Sequence, residues 1–326
     1  MFKKAALVFT AASITLFSLA LVNATAKNVT LKAGHVLAPT HPYQLGLEKF
    51  SQLVEEKTAG TVTVDVFHSS QLGNEREMIE GLQLGTLDMT LVSTAPLSGF
   101  SSQFLVFDLP YIFKTPEGAH ATVDGPVGQE IMKSLEKKGI IGLAYWENGF
   151  RHVSNSRLDL KKPADMAGMK IRTMENKIHM ASFKVIGADP TPMAFGELFT
   201  ALQQKTVDAQ ENPIPVFYTS NFFEVQDYLS LTGHFYAASP FLISKTVWKK
   251  LDDTQQQAIK EAAEEARDYE RNQIAQMDND LMEDLISKGV TISKVDKDEW
   301  AAAMQPVYKE YEKAIGAETI EKVKEQ

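Results

Sequence analysis

The sequence predicts an α/β protein of two domains, built on a mostly parallel sheet with helices on its faces. Three observations predict it. Short β-branched or apolar runs alternate with stretches of helical periodicity from residue 29 onward. The chain has 326 residues, more than one hydrophobic core usually serves. From Asp253 to Lys288 there is neither glycine nor proline, too long a stretch for one helix inside one compact domain.

The elements follow in order. "VTLKAG" (29–34) reads as a strand and leads to a helix from Pro42, where Leu47, Phe50, Leu53 and Val54 share a face. "TVTVDVF" (61–67) alternates and is β-branched, so it is a strand. A helix over 74–85 and a strand "DMTLV" (88–92) complete a βαβαβ rhythm. The rhythm recurs with strands at 139–146, 168–174, 227–232 and 239–244, and helices at 177–186, 194–204 and 213–223. The first of these strands is expected to stop at an Asn148-Gly149 turn. In the stretch 253–288, Ile259, Ala263, Ala266, Met277, Leu281 and Leu285 fall at helical steps. Such a helix spans roughly 54 Å at about 1.5 Å per residue, so it is expected to cross both domains, bent near Asn272 to Ala275.

The N-terminus reads as a signal peptide over 1–26. Lys3 and Lys4 precede an apolar run from Ala5 to Val22, and Ala24-Thr25-Ala26 supplies a small-residue cleavage site. Taking Lys3 and Lys4 from the 33 basic residues leaves 31 against 42 acidic ones, a mature charge of -11. That balance argues against nucleic acid and against anionic lipid surfaces as partners. There is no cysteine to carry a lipid and no second long apolar segment. The mature chain is therefore expected free in the periplasm, with no stable membrane insertion.

No catalytic constellation appears: no G-x-S-x-G, no P-loop and no G-x-G-x-x-G. The seven histidines show no HExxH spacing and there are no thiols, so no metal site and no cofactor are expected. Arg151 follows the strand 139–146, and Arg172 lies at the end of 168–174; both fall where open α/β sheets bind ligands. A guanidinium grips a carboxylate through paired hydrogen bonds, though each arginine also fits a solvated surface position. Asn212 before Pro213 fits an ordinary helix start, or a helix end facing an anion.

The blocks "SSQLGNEREMIEGLQLGTLDM", "ENGFRHVSNS", "DMAGMKIRTMEN", "GADPTPMAFGELFTALQQKTVDAQENP" and "FFEVQDYLSLTGH" occur in that order. Together they resemble the solute-binding proteins of tripartite ATP-independent periplasmic (TRAP) transporters, the DctP-like family, over roughly residues 28–320. The details lie nearest to relatives that bind sugar acids. The resemblance implies a periplasmic solute-binding fold of two lobes around a central cleft, with the long helix spanning both. On that expectation lobe I is 27–148 plus 237–277, and lobe II is 149–236 plus 278–326. It implies that Arg172 of "KIRT" holds the ligand carboxylate and that Arg151 and Asn212 are cleft residues. Matching positions add Glu75, Ser93, His35 and Phe195, and Glu175, which stands where relatives often have asparagine. The implied function is a non-enzymatic receptor. It takes a small organic acid, a sugar acid or uronate or other hydroxy carboxylate, to the small and large permease subunits. A C4-dicarboxylate or an organosulfonate is the alternative ligand. An exported enzyme acting on small organic acids, or a binding protein serving another transporter class or a sensor kinase, are the alternative classes.

Overall fold

The computed structural model describes residues 28–324; the expected signal peptide at 1–26 lies outside the described residues. Nine strands form one sheet: β1 (Val29–Gly34), β2 (Val62–Phe67), β3 (Met89–Leu91), β4 (Ile140–Asn155), β5 (Lys170–Thr173), β6 (Asp189–Pro192), β7 (Ala209–Asn212), β8 (Tyr228–Ser244) and β9 (Thr291–Lys294). The order is β2-β1-β3-β8-β4-β7-β5-β6, with β9 added beside β8.

The parallel expectation holds at the two flanks and fails in the centre. The pairs β1–β2, β1–β3, β5–β6, β5–β7 and β8–β9 are parallel. The pairs β3–β8, β4–β7 and β4–β8 are antiparallel. β4 and β8 run the full width of the molecule, so each flank of the sheet hangs on the same two strands. The expected end of β4 at Asn148-Gly149 is corrected: the strand continues to Asn155. Gly149 has φ of 106°, open to glycine at no steric cost, and the register against β8 shifts between Glu147 and Gly149. A glycine that reads as a hairpin turn here makes a β-irregularity inside a continuous strand. The strands expected separately at 227–232 and 239–244 likewise join into β8, through Gly233 at φ 57°.

Smaller differences have local causes. β6 (sequence DPTP) is a proline-bearing edge strand, which carries no strand signal in sequence but is tolerated where one side needs no donor. The helix expected over 213–223 stops at Thr219, and a 3-10 turn at Phe222–Glu224 follows Asn221 in the left-handed region. Asn212 does not cap that helix. It is the last residue of β7, and Pro213 takes the cap position.

The long helix runs unbroken from Asp253 to Ser287. Asp252 and Gln255 cap each other's backbone N–H groups at its start. Its buried stripe includes four alanines (Ala258, Ala262, Ala263, Ala266), which let the helix Pro42–Lys57 approach closely. Its C-terminal half reaches the other flank, where Asp284 accepts a hydrogen bond of 2.6 Å from Tyr218. No described helix is long and apolar enough to cross a membrane.

Gly46 marks the closest approach. A Cβ there would lie 2.6 Å from Cζ3 of Trp146 and 2.9 Å from Cβ of Glu270, both buried. Overpacking costs about 1–3 kcal/mol, which outweighs the roughly 1 kcal/mol that helix propensity gives alanine. Gly46→Ala is expected to lower the urea unfolding midpoint; an unchanged or raised midpoint would contradict this packing.

Candidate functional site

Where the two flanks face each other, a tight interior gap of about 10 Å³ is lined by Val36, Leu37, Tyr43, Glu75, Ser93, Asn148, Arg151, Arg172, Met174, Phe195 and Asn212. An adjoining gap of about 20 Å³ shares Glu75, Arg172 and Phe195 and extends past Arg76 and Glu175. Two larger grooves, of about 550 and 590 Å³, lie on the surface by the helices Pro306–Ile315 and Ala317–Lys324. They hold no buried charged side chain, so the chemistry belongs to the inner gap.

Six of the eight expected residues meet at the inner gap: Arg172, Arg151, Asn212, Glu75, Ser93 and Phe195. They come from separate elements. β4 carries Arg151, β5 carries Arg172 and β7 ends on Asn212. Glu75 opens the helix Glu75–Leu84, whose start is fixed by reciprocal bonds between Asn74 and Glu77. Ser93 follows β3, and Phe195 is the first residue of the helix Phe195–Gln203.

The two arginines differ in kind. Arg151 is 1% exposed and committed to the protein. Its Nε donates to Glu211 Oε2 at 2.5 Å. Its Nη2 donates to Glu211 Oε1 at 2.8 Å, to the Glu211 carbonyl at 2.6 Å and to Asn212 Oδ1 at 3.0 Å. Only Nη1 has no partner. Burial opposes a charge on Glu211, but Arg151 and His234 more than offset it and hold the carboxyl below the usual range. Behind this pair, His234 Nε2 lies 3.3 Å from Glu211 and His179 Nε2 lies 3.3 Å from buried Asp108.

Arg172 is 2% exposed and makes no ion pair among the described residues. Its Nε and Nη2 donate to the Met193 carbonyl at 2.9 and 2.8 Å, and its Cζ sits 6.0 Å above the Phe195 ring. Burial lowers its pKa to about 10, with Glu211 acting against that, so it stays cationic at neutral pH. A buried guanidinium tied only to a carbonyl is costly unless an anion joins it.

Glu75 accepts a 2.7 Å hydrogen bond from the Ser93 backbone N–H. Burial raises its pKa, against the Ser93 bond and the two arginines. Ser93 Oγ accepts from Asn148 Nδ2 at 3.5 Å. Glu175 lines the outer gap only. It lies 3.5 Å from Arg76, at the mouth. His35 lines neither gap. Its Nδ1 accepts from the Leu37 N–H at 3.3 Å and its Nε2 faces Gln44 Oε1 at 2.9 Å, which orients the Val36–Leu37 wall. Burial lowers its pKa to about 4, so the ring is neutral.

Sequence reasoning missed Tyr43, Asn148 and above all Glu211. Glu211 adjoins Asn212 in "QENP", and reading Asn212-Pro213 as a helix start hid its cross-strand relation to β4, where it pairs with Val153. No sequence signal assigns His179 and His234 to its surroundings.

The chain matches the model of bacterial extracellular solute-binding protein, family 7 (DctP), over residues 33–314. It is 40% identical over 263 residues to the 2,3-diketo-L-gulonate-binding periplasmic protein YiaO of Escherichia coli (strain K12), covering 81% of this chain and 80% of that one. A TRAP periplasmic solute-binding protein of Polaromonas sp. JS666, solved bound to D-erythronate, is 42% identical with a TM-score of 0.89, over 91% of this chain and 98% of the other. Another, from Sulfurospirillum deleyianum DSM 6946 with bound succinate, is 35% identical with a TM-score of 0.87, over 91% and 98%. With the two-lobed sheet, the shared cleft and the long helix already in place, these similarities mean that the chain belongs to solute-binding protein family 7, the DctP family of TRAP transporters.

Proposed function

We propose that this protein is a non-enzymatic periplasmic receptor that captures a small hydroxy monocarboxylate in the cleft and delivers it to the small and large permease subunits. One observation carries the ligand reading: Arg172, buried at the gap, has no counter-ion of its own among the described residues, while Arg151 has Glu211. The ligand carboxylate completes Arg172 through Nη1 and Nη2, and Arg151 Nη1 and Asn212 supply further contacts.

Charge balance favours one carboxylate over two. Arg151 is balanced by Glu211, which leaves Arg172 against Glu75 and the ligand. Burial makes Glu75 easy to protonate, and the neutral acid both donates to and accepts from a hydroxyl. A second ligand carboxylate adds an unbalanced charge. Its relatives bound to D-erythronate and named for 2,3-diketo-L-gulonate support a sugar acid. The relative holding succinate keeps a C4-dicarboxylate as the second reading, with Arg151 Nη1 as the group that would take the other carboxylate.

The lobes in this reading are 27–148 plus 237–277 and 149–236 plus 278–326. The register shift between Glu147 and Gly149, opposite Ala238 and Ala237, supports a hinge there. Ligand contacts from both lobes exist only in the closed form, so binding biases the open–closed equilibrium.

Three outcomes are expected. Removing one partner of a buried charged pair costs about 2–5 kcal/mol, so Arg172→Ala loses at least about 30-fold in affinity by calorimetry with the fold intact. Glu211→Ala instead strips Arg151 of its partner inside the protein. It lowers stability by about 3–5 kcal/mol in denaturant titration, and equal stability of the two variants would undo the distinction between the arginines. Small-angle scattering across a panel of sugar acids, C4-dicarboxylates and sulfonates is expected to show compaction with the hydroxy monocarboxylates. Identical profiles with every acid would count against hinge closure.

A further inference from the structure

The hinge itself holds an excess of acid. Glu147 sits at the β4 irregularity, 4% exposed, and its backbone N–H donates to Glu270 Oε2 at 3.1 Å. Glu270, on the long helix, is fully buried, and its Oε1 has no partner. Asp278 lies eight residues on, about two turns along the same helix face. Its Oδ2 is 4.0 Å from where a Cβ on Gly149 would stand. Two carboxyls of the helix therefore flank the Glu147–Gly149 irregularity, the middle one of three register shifts between β4 and β8.

The cations nearby do not balance them. Arg271 is held by Asp124, at 2.6 and 3.1 Å, and by the Tyr145 carbonyl at 2.6 Å. Arg267 faces Asp124 and Asp268. From the helix Pro116–Asp124, His120 Nε2 lies 3.1 Å from Glu147 Oε2. From β8, Tyr236 packs on His120 with its hydroxyl unpartnered. From the helix Pro42–Lys57, uncharged Gly46 lies against Glu270, where an added Cβ would stand 2.9 Å from the Glu270 Cβ. With Arg271 and Arg267 engaged by Asp124, Glu270 and Asp278 have no ion-pair partner among the described residues, and burial there favours the protonated carboxyl.

We propose that Glu270 and Asp278, packed about the Glu147–Gly149 irregularity, couple closure of the cleft to proton uptake, so that the receptor holds its acid more tightly as pH falls. The inference rests on the hinged-receptor reading above. In the closed arrangement burial, followed by Glu147, raises the Asp278 pKa to about 7 and pushes Glu270 well above the carboxylate range. Opening turns β4 against the long helix and admits water to Asp278, which restores an ordinary carboxylate. The sign follows. A group whose pKa is higher in the closed state favours closure fully below its open-state value, and that contribution is lost as pH rises through about 7. For one proton, affinity falls about tenfold from about pH 6 to about pH 8.

The test is calorimetry with D-erythronate at both pH values, each in two buffers of different ionisation enthalpy. Wild type is expected to take up a substantial fraction of a proton on binding near neutral pH and to weaken about tenfold at the higher value. Asp278→Asn, neutral and nearly isosteric, is expected to bind at the high pH as wild type does at the low one, with the proton uptake reduced; Glu270→Gln is the second variant should the first be unstable. Wild-type affinity independent of pH, or a pH dependence that persists unchanged in both variants, overturns the proposal and in the latter case moves the proton to Glu75. Absence of binding at either pH, by D-erythronate and by every other hydroxy monocarboxylate of the panel, overturns the monocarboxylate reading, and this one with it.

Discussion

Everything in this molecule depends on two strands belonging to both lobes. β4 and β8 pair from Ile140–Ser244 at one end to Asn155–Tyr228 at the other, and each flank of the sheet adds its own strands to their edges. A cleft between two independent domains would need a linker on its floor. Here the floor is hydrogen-bonded sheet, so the closure proposed above works through torsion where the β4–β8 register shifts and through the long helix that spans the same gap. Arg151 and Glu147 lie on β4 on either side of the Asn148-Gly149 irregularity, four residues apart. Binding chemistry and hinge chemistry thus share one strand.

Charge is arranged by distance from the solute. Glu211 satisfies Arg151 inside the protein, and the His234, His179 and Asp108 cluster fills the space behind them. Arg172 has no such partner among the described residues, which is why the function proposed above leaves it to an external anion. The alternative arrangement, with both arginines unpaired, would place two buried cations in one gap and raise the cost of folding by several kcal/mol. The arrangement with both paired would leave nothing for a carboxylate to bind. One internal pair and one open guanidinium fold stably and still select an anion.

The sequence and the structure agree where information is local. The alternation of 61–67, the helical face from Pro42 and the uninterrupted stretch after Asp253 all read correctly because each depends on neighbours within a few residues. The failures are non-local or depend on glycine. Asn148-Gly149 has the composition of a turn, and only pairing with β8 makes it an irregularity within a strand. Asn212 looks like a cap because Pro213 follows it, yet pairing with His152 makes it a strand end. For the site, Arg172, Arg151 and Asn212 stood out through the blocks that resemble a family. Glu211 did not, because a carboxylate in "QENP" gains its meaning only when β7 is laid against β4. His35 was placed in the cleft by its position after β1, one residue short of the wall that Val36 and Leu37 form.

Glu175 shows how the closing energy is divided. It does not line the inner gap but faces Arg76 at the mouth, with the two side chains 43% and 58% exposed. An exposed pair of this kind contributes about 0.2–1 kcal/mol, at most a few-fold in an equilibrium. A buried carboxylate on Arg172 contributes about 2–5 kcal/mol, which is tens to thousands of fold. A mouth pair as strong as the inner one would hold the cleft shut without cargo and slow both entry and release. Because it is weak, the solute in the function proposed above supplies the larger share of the energy that favours closure, and the closed form then carries the information that the receptor is loaded.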